Sequence, residues 1–361
     1  MLLRLLQRMD RSEFSQSVVS LTTEGLHGQV VKESGIPLIA LEMGGFGSVP
    51  RGLVKLLRVI QKKRPHIVQT WLFHADLMGL LAGRMARDVR VAWNVRCAGL
   101  APGEAPRSTR ALIKVLSRLS RHPDAVIFNS VAGRDAHTAL GYRPRYSPVL
   151  PNGFDLEEWR PDRTRRAEFR HEIGVEDECF LVGMVARYHP IKRHSIFLSA
   201  ARRLMMVAPN VRFVFAGSGI TWGNPALAAE INQHGLRGYV MLLGSRSDMA
   251  HVMVGLDCLV STSISEGFPN VIGEAMACGV PCVATDAGDS SIIIGNTGLI
   301  VAVDDAEGVV AGVMEIIAAD PAARMARANL CRQRIAENFS LDRMVTSYAN
   351  FYRELDGHRR G

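Results

Sequence analysis

The chain has 361 residues, 47% of them hydrophobic and 22% charged. That is too long for one ordinary domain and enough to bury two cores. Few aromatics (6%) and 33 glycines suit alternating strands, turns and helices better than a β-sandwich. The net charge of +8 is uneven: residues 1–150 hold 22 Lys+Arg against 10 Asp+Glu, so the basic excess lies in the first half. A basic first half and a mildly acidic second half suggest two domains with different partners. The excess can attract anionic lipid headgroups or phosphorylated acceptors. No nucleic-acid recognition motif accompanies it, so nucleic acid is not an expected partner.

Six cysteines, at 97, 179, 258, 278, 282 and 331, form no C-x-x-C pair and have no histidine at ligand spacing. They are expected to be small buried hydrophobes in a reducing cytoplasm rather than metal ligands. The opening Met1–Met9 is apolar but broken by Arg4 and Arg8, unlike a secretory leader. No apolar run reaches the ~18 residues a crossing helix needs, so membrane contact is expected to be peripheral, at the inner face.

In chain order, the first element is a helix over Met1–Met9, with Leu2, Leu5, Leu6 and Met9 on one face. Strands are predicted at Gln16–Thr22, Pro37–Leu41, His66–Trp71, Val89–Val95, Ala125–Asn129 and Tyr146–Leu150, with helices including Pro50–Lys63, Ala75–Arg87 and Arg107–Arg121 between them. The short continuous apolar runs and the βαβα order predict a parallel sheet covered on both faces. Pro151-Asn152-Gly153 is a boundary by turn chemistry. A second series follows, with strands at Phe180–Ala186, Val211–Ala216, Val240–Leu243, Cys258–Ser261, Pro281–Thr285 and Gly298–Val301. The expected architecture is α/β, two facing doubly wound domains with a cleft between them. The domains are 1–150 and 151–338, and 339–361 forms a closing helix (Leu341–Leu355) and tail. Ligands of such sheets sit at the carboxyl ends of the strands.

Two segments at those ends carry chemistry. Arg187-Tyr188-His189-Pro190-Ile191-Lys192 follows the strand Phe180–Ala186 and places two cations at the mouth of a helix. A pyrophosphate there would meet a forked guanidinium, an ammonium and a helix N-terminus; a solvated basic turn is the competing reading. Glu266-Gly267-Phe268-Pro269-Asn270-Val271-Ile272-Gly273-Glu274 follows the strand Cys258–Ser261. Gly267 lets backbone approach a ligand closely, and N–H groups near Phe268, Pro269 and Asn270 can hold phosphate oxygens. Glu274 can accept from a ribose diol and Glu266 from sugar hydroxyls; a helix start carrying two glutamates is the alternative.

Glu266–Glu274 resembles the E-x7-E signature of the family 4 retaining glycosyltransferases, which adopt the GT-B fold of two Rossmann-like domains. The following Ala275–Thr285 has the same style, Arg187 and Lys192 match the family's diphosphate-gripping pair, and Asn152-Gly153-Phe154-Asp155 resembles its step into the second domain. The match covers nearly all of the chain and is densest over 150–302. The resemblance implies that Glu274 binds ribose and Glu266 the donor sugar, with Gly217-Ser218-Gly219 and Gly244-Ser245-Arg246 near the base. It also implies that His74, after Trp71-Leu72-Phe73, reaches the transferred sugar. Asn94 and Arg96 end the next strand and are candidates for acceptor or phosphate contact; Ser130 is expected to be a helix cap. Family members usually open with a strand and a glycine-rich loop ahead of such a first helix, and both are absent from this sequence. The first domain is therefore expected to lack its first strand.

The resulting expectation is hexosyl transfer from a nucleotide diphosphate sugar to an acceptor hydroxyl with retention, in polysaccharide, lipopolysaccharide or glycolipid synthesis. A lipid-linked acceptor at a membrane surface is compatible with the basic first domain. No Asp-x-Asp follows a strand, so neither metal nor other cofactor is expected. The rivals are a truncated, non-catalytic nucleotide-sugar-binding remnant and a nucleotide-sugar epimerase on the same fold. A nicotinamide oxidoreductase would need a G-x-G-x-x-G after a strand, which the sequence lacks.

Overall fold

In the computed structural model, which describes residues 1–86, 88–97 and 106–357 and only the backbone of Phe46, the chain divides into two compact units. One comprises Met1–Gly153 together with the stretch from Leu341; the other is Phe154–Ser340. The boundary thus falls three residues beyond the expected one, and the closing helix belongs to the first unit.

The first unit holds strands β1 (Val18–Ser20), β2 (Leu38–Ala40), β3 (Ile67–Gln69), β4 (Arg90–Val95) and β5 (Ala125–Phe128). All pairings are parallel, but they form two sheets, β1-β2 and β3-β4-β5, rather than one. The segment predicted as a strand at Tyr146–Leu150 runs beside β5: Val126 and Phe128 donate to Tyr146 and Pro148, and Leu150 donates back to Phe128. The helices Val49–Lys63, Phe73–Met85 and Arg107–Leu119 lie side by side in that order. The predicted helix Ala75–Arg87 ends on a residue outside the described ones. On the β3-β4-β5 sheet, the C-terminal helix Leu341–Gly357 buries Tyr348, Phe351 and Leu355 against Ala92, Ile127 and the first helix's Leu5. An amphipathic helix must bury its apolar stripe. This one uses residues more than 200 positions upstream, which is why chain order alone detached it from the first domain.

The second unit is one six-stranded parallel sheet. Its strands are β6 (Phe180–Val185), β7 (Val211–Ala216), β8 (Val240–Leu242), β9 (Cys258–Ser261), β10 (Cys282–Thr285) and β11 (Leu299–Val301), in the order β11-β10-β9-β6-β7-β8. The alternation of a strand splits its side chains between two cores: Val182, Phe213, Phe215 and Val260 pack on one face, Leu181, Val214, Leu259 and Ala284 on the other. Cys258, Cys278, Cys282 and Cys331 are buried fillers, and burial pushes the Cys278 thiol up to about 12. The strand order reverses between β6 and β9: β6 connects onward to β7 on one side, β9 to β10 on the other. In a doubly wound sheet, that reversal opens a crevice beyond the carboxyl ends of the two strands.

Candidate functional site

The crevice is where the sequence motifs meet. Lys192 ends a short 3-10 turn, Pro190–Lys192, after β6; Glu266 lies in the loop after β9. Though 74 positions apart, the Lys192 ammonium donates to the Glu266 carboxylate, with the two side chains only 17% and 15% exposed. The turn carrying Lys192 is pinned to the β9 end. Thr262 Oγ1 donates to the carbonyls of Lys192 (2.9 Å) and Arg193 (3.0 Å), and Ile264 N–H donates to the Ile191 carbonyl at 2.9 Å. Arg193 then takes a left-handed φ of 50° and the helix His194–Val207 begins. Arg187 stands at the carboxyl end of β6, exposed, and no hydrogen bond or ion pair engages its guanidinium among the described residues. The pair and the arginine together offer a surplus positive charge at the helix mouth.

The neighbouring turns crowd against this end of the sheet. Tyr188 N–H donates to Ser218 O and Gly217 N–H to Gly244 O, both at 2.7 Å, so the turns after β6, β7 and β8 form one ledge. Gly217 has φ +146°, and a Cβ there would lie 2.5 Å from the Ala186 carbonyl carbon and 2.9 Å from Arg187 N; only glycine fits. Gly219 also has positive φ, beside the Tyr188 Cβ. Under the ledge, buried His194 sits 5.3 Å from the Tyr188 ring, and burial lowers its pKa to about 4, so it is a neutral packing group.

The E-x7-E segment divides its labour. Phe268 and Pro269 are buried; Phe268 stacks on Phe154 at 6.2 Å and meets Phe339 at 5.6 Å, so it anchors the loop. Gly267 accepts from Asp289 N–H at 2.9 Å. A Cβ on Gly288 would come within 2.5 Å of the Glu266 carbonyl, so the turn after β10 buttresses the loop. Exposed Asn270 opens the helix Asn270–Ala277, which follows Pro269 and has no side-chain cap there. Glu274, one turn in, is half-buried. Arg246 is held by carboxylates: Asp248 at 2.8 and 2.6 Å and Glu172 at 2.5 and 3.3 Å. Its hydrogen bonds to Asp248 and then Glu172 raise its pKa, and reaching a base would require releasing them.

The other candidates belong to the first unit, at the carboxyl ends of β3 and β4. His74 is exposed in the first turn of Phe73–Met85, after Leu72 at φ +76°. Asn94 is buried in β4; its Nδ2 donates to Tyr348 Oη at 2.9 Å while its Oδ1 is buried without a partner. Arg96 lies 4.9 Å over the Trp71 ring and donates to Asn152, and burial lowers its pKa. Ser130 accepts from Gly133 N–H at 3.0 Å, a helix cap as expected.

Sequence reasoning missed Asp76. It is fully buried, and Thr70 Oγ1 donates to it at 2.5 Å. Burial pushes its pKa up to about 8, against the pull of the hydrogen bonds from Thr70 and the Asn94 backbone. Its carboxyl is therefore largely protonated near neutral pH.

The family description "Glycosyl transferases group 1" matches residues 179–319, the unit with the crevice, and "Glycosyl transferase 4-like domain" matches residues 1–153. The chain belongs to the family 4 glycosyltransferases. The second match ends at the unit boundary, Gly153, and the first lies wholly within the second unit. EpsF of Bacillus subtilis (strain 168) is 33% identical over 139 residues, 38% of this chain and 36% of that one. The UDP-Gal:alpha-D-GlcNAc-diphosphoundecaprenol alpha-1,3-galactosyltransferase of Escherichia coli is 23% identical over 313 residues, 84% and 79% of the two chains. The D-inositol 3-phosphate glycosyltransferase of Mycobacterium marinum (strain ATCC BAA-535 / M) is 27% identical over 270 residues. The glycosyltransferase thus covers 73% of its own length in that match and 57% of the relative's. Among solved structures, Anabaena HepE in complex with UDP and glucose superposes with a TM-score of 0.83 at 22% identity, covering 98% of this chain and 95% of that one. That likeness confirms the GT-B fold.

Proposed function

We propose that this glycosyltransferase moves a hexosyl group from a nucleoside diphosphate sugar to an acceptor hydroxyl, with retention and without a metal. The observation that carries the reading is the meeting of Arg187, Lys192 and Glu266 at the strand-order reversal of the second unit. The C1–O bond to the diphosphate breaks as the acceptor oxygen bonds to C1 on the same face. The acceptor's proton passes to the departing phosphate oxygen. The protein supplies position and charge: Arg187 and Lys192 neutralise the leaving diphosphate, the helix starting at Asn270 points its positive dipole end at it, Glu274 holds the ribose and Glu266 the sugar. Two cations at the diphosphate make a divalent ion unnecessary. His74 and Arg96 line the acceptor side, whereas Asn94, expected there from the sequence, is fully buried and spends its amide on Tyr348.

For the acceptor, a lipid-linked saccharide at the inner membrane face is the reading we favour. The Escherichia coli relative is named for a diphosphoundecaprenol-linked acceptor. The helices Val49–Lys63 and Arg107–Leu119 carry five and four basic residues and no acidic one, which suits an anionic surface. No helix among the described residues is long and apolar enough to cross a membrane.

Calorimetric titration with a panel of nucleoside diphosphates and their sugars tests the reading. One nucleotide should bind, weaken at least tenfold in Glu274→Ala, and have its sugar transferred. Binding by none, or binding indifferent to Glu274, would overturn the donor assignment.

A further inference from the structure

A polar cavity lies in the first unit, at the opposite ends of the strands from His74 and Arg96. It has a volume of about 300 Å³ and opens where β4 begins and the chain enters β5. Three arginines from three segments line it: Arg84 from the last turn of Phe73–Met85, Arg121 from just past Arg107–Leu119, and Arg145 from the stretch beside β5. Among the described residues lining the cavity the one carboxylate, Asp124, is already engaged, by Arg90 at 2.8 Å and by Val91 N–H at 2.8 Å. Arg121 and Arg145 are exposed and form no ion pair among the described residues. Arg84 Nη2 lies 2.8 Å from His122 Nδ1. A guanidinium has only donors, so Nδ1 accepts and the ring's proton sits on Nε2, adding a further donor to the group. Gly83 lets the helix end press directly onto Val91, setting the cavity's inner wall.

Three guanidinium groups gathered around one small cavity, with no carboxylate left to balance them, repel one another unless an anion is present. Their planar forks match tetrahedral oxyanions, and the cavity is at the small end of ligand sites. We propose that this cavity is a phosphate-binding site, separate from the donor crevice, which takes a phosphate or diphosphate group through Arg84, Arg121 and Arg145. The group can come from a soluble phosphate compound or from a phospholipid headgroup.

The test is calorimetric titration of the full chain with inorganic phosphate and with pyrophosphate, beside flotation with phosphatidylglycerol-containing and pure phosphatidylcholine vesicles. An Arg187→Ala/Lys192→Ala background removes the contribution of the donor crevice. In that background, saturable binding of soluble phosphate should persist and weaken tenfold or more in Arg84→Gln/Arg121→Gln, two charge-assisted contacts having been removed. Arg163→Gln, the same kind of charge loss at an exposed arginine of the second unit, should leave it within twofold. If instead only phosphatidylglycerol vesicles show that same dependence, the headgroup is the source. Should the double variant lose its native circular dichroism, Arg145→Gln alone decides, with an expected loss of at least threefold. Phosphate, pyrophosphate and vesicle binding all indifferent to the folded cavity variants would overturn the assignment.

Discussion

Lys192 and Glu266 hold each other in a half-buried pair, and that pairing has a measurable consequence. Replacing Lys192 by Ala removes one charge-assisted contact to a diphosphate, worth about 1.5–3 kcal/mol. It also strips the partner from a Glu266 side chain only 15% exposed. A bare carboxylate about 5 Å from a phosphate charge, at an effective dielectric of about 20, repels it by about 3 kcal/mol. Together these weaken nucleoside diphosphate binding by roughly three to four orders of magnitude. Adding Glu266→Gln removes the repulsion and should restore roughly a hundredfold. The assay is titration with the nucleoside diphosphate, free of its sugar, so that any sugar contact of Glu266 drops out; saturation-transfer NMR covers the weak binders. A double variant that binds no better than Lys192→Ala, or a Lys192→Ala that binds within threefold of the parent, would refute the reasoning.

Two further changes probe the scaffold. Asp76 prefers its proton in the folded state, with a pKa of about 8 against 3.8 ordinarily. The folded chain therefore holds a proton that the unfolded chain has released, and stability falls as pH rises from about 4 to about 8. Asp76→Asn should match the parent near pH 4 and exceed it by several kcal/mol near pH 9, measured by hydrogen exchange of amides in β4; parallel pH profiles would contradict this. Gly217→Ala would press a Cβ onto the Ala186–Arg187 peptide at 2.5–2.9 Å. It should lower nucleotide affinity at least tenfold by displacing Arg187, while far-ultraviolet circular dichroism stays native; unchanged affinity would show that the ledge does not set the site.

Eleven of the twelve strands expected from the sequence appear at their predicted places within two residues, because buried parallel strands are written as short apolar runs such as Phe180–Val185. Which strands pair is not written there. The separation of β1-β2 from β3-β4-β5 and the docking of the C-terminal helix on the first unit depend on residues far apart in the chain. Asp76 illustrates the same limit within the first unit. In sequence it looks like an ordinary acid in a helix's first turn, favoured there by the helix dipole. Only Thr70 and the Asn94 backbone, supplied by neighbouring segments, make it a buried, protonated group. Arg246 likewise looks available in the sequence, yet Glu172 on a distant helix and Asp248 two residues on enclose it.

The meeting of the Lys192 and Glu266 segments was legible for a different reason. Their residues are held by motif spacing, but their meeting is decided by strand order. β6 and β9 are adjacent only because β7 and β8 are added on one side and β10 and β11 on the other. Placing β9 anywhere else would leave Arg187 and Lys192 without Glu266. Parallel connections put the loop after every strand at the same end of the sheet, so six loops were available, and the proposed chemistry sits on the two whose chains diverge. Divergence leaves space between the loops. Thr262 spends its hydroxyl on fixing the Lys192 turn across that gap, which fits a crevice held open for a ligand rather than closed by packing.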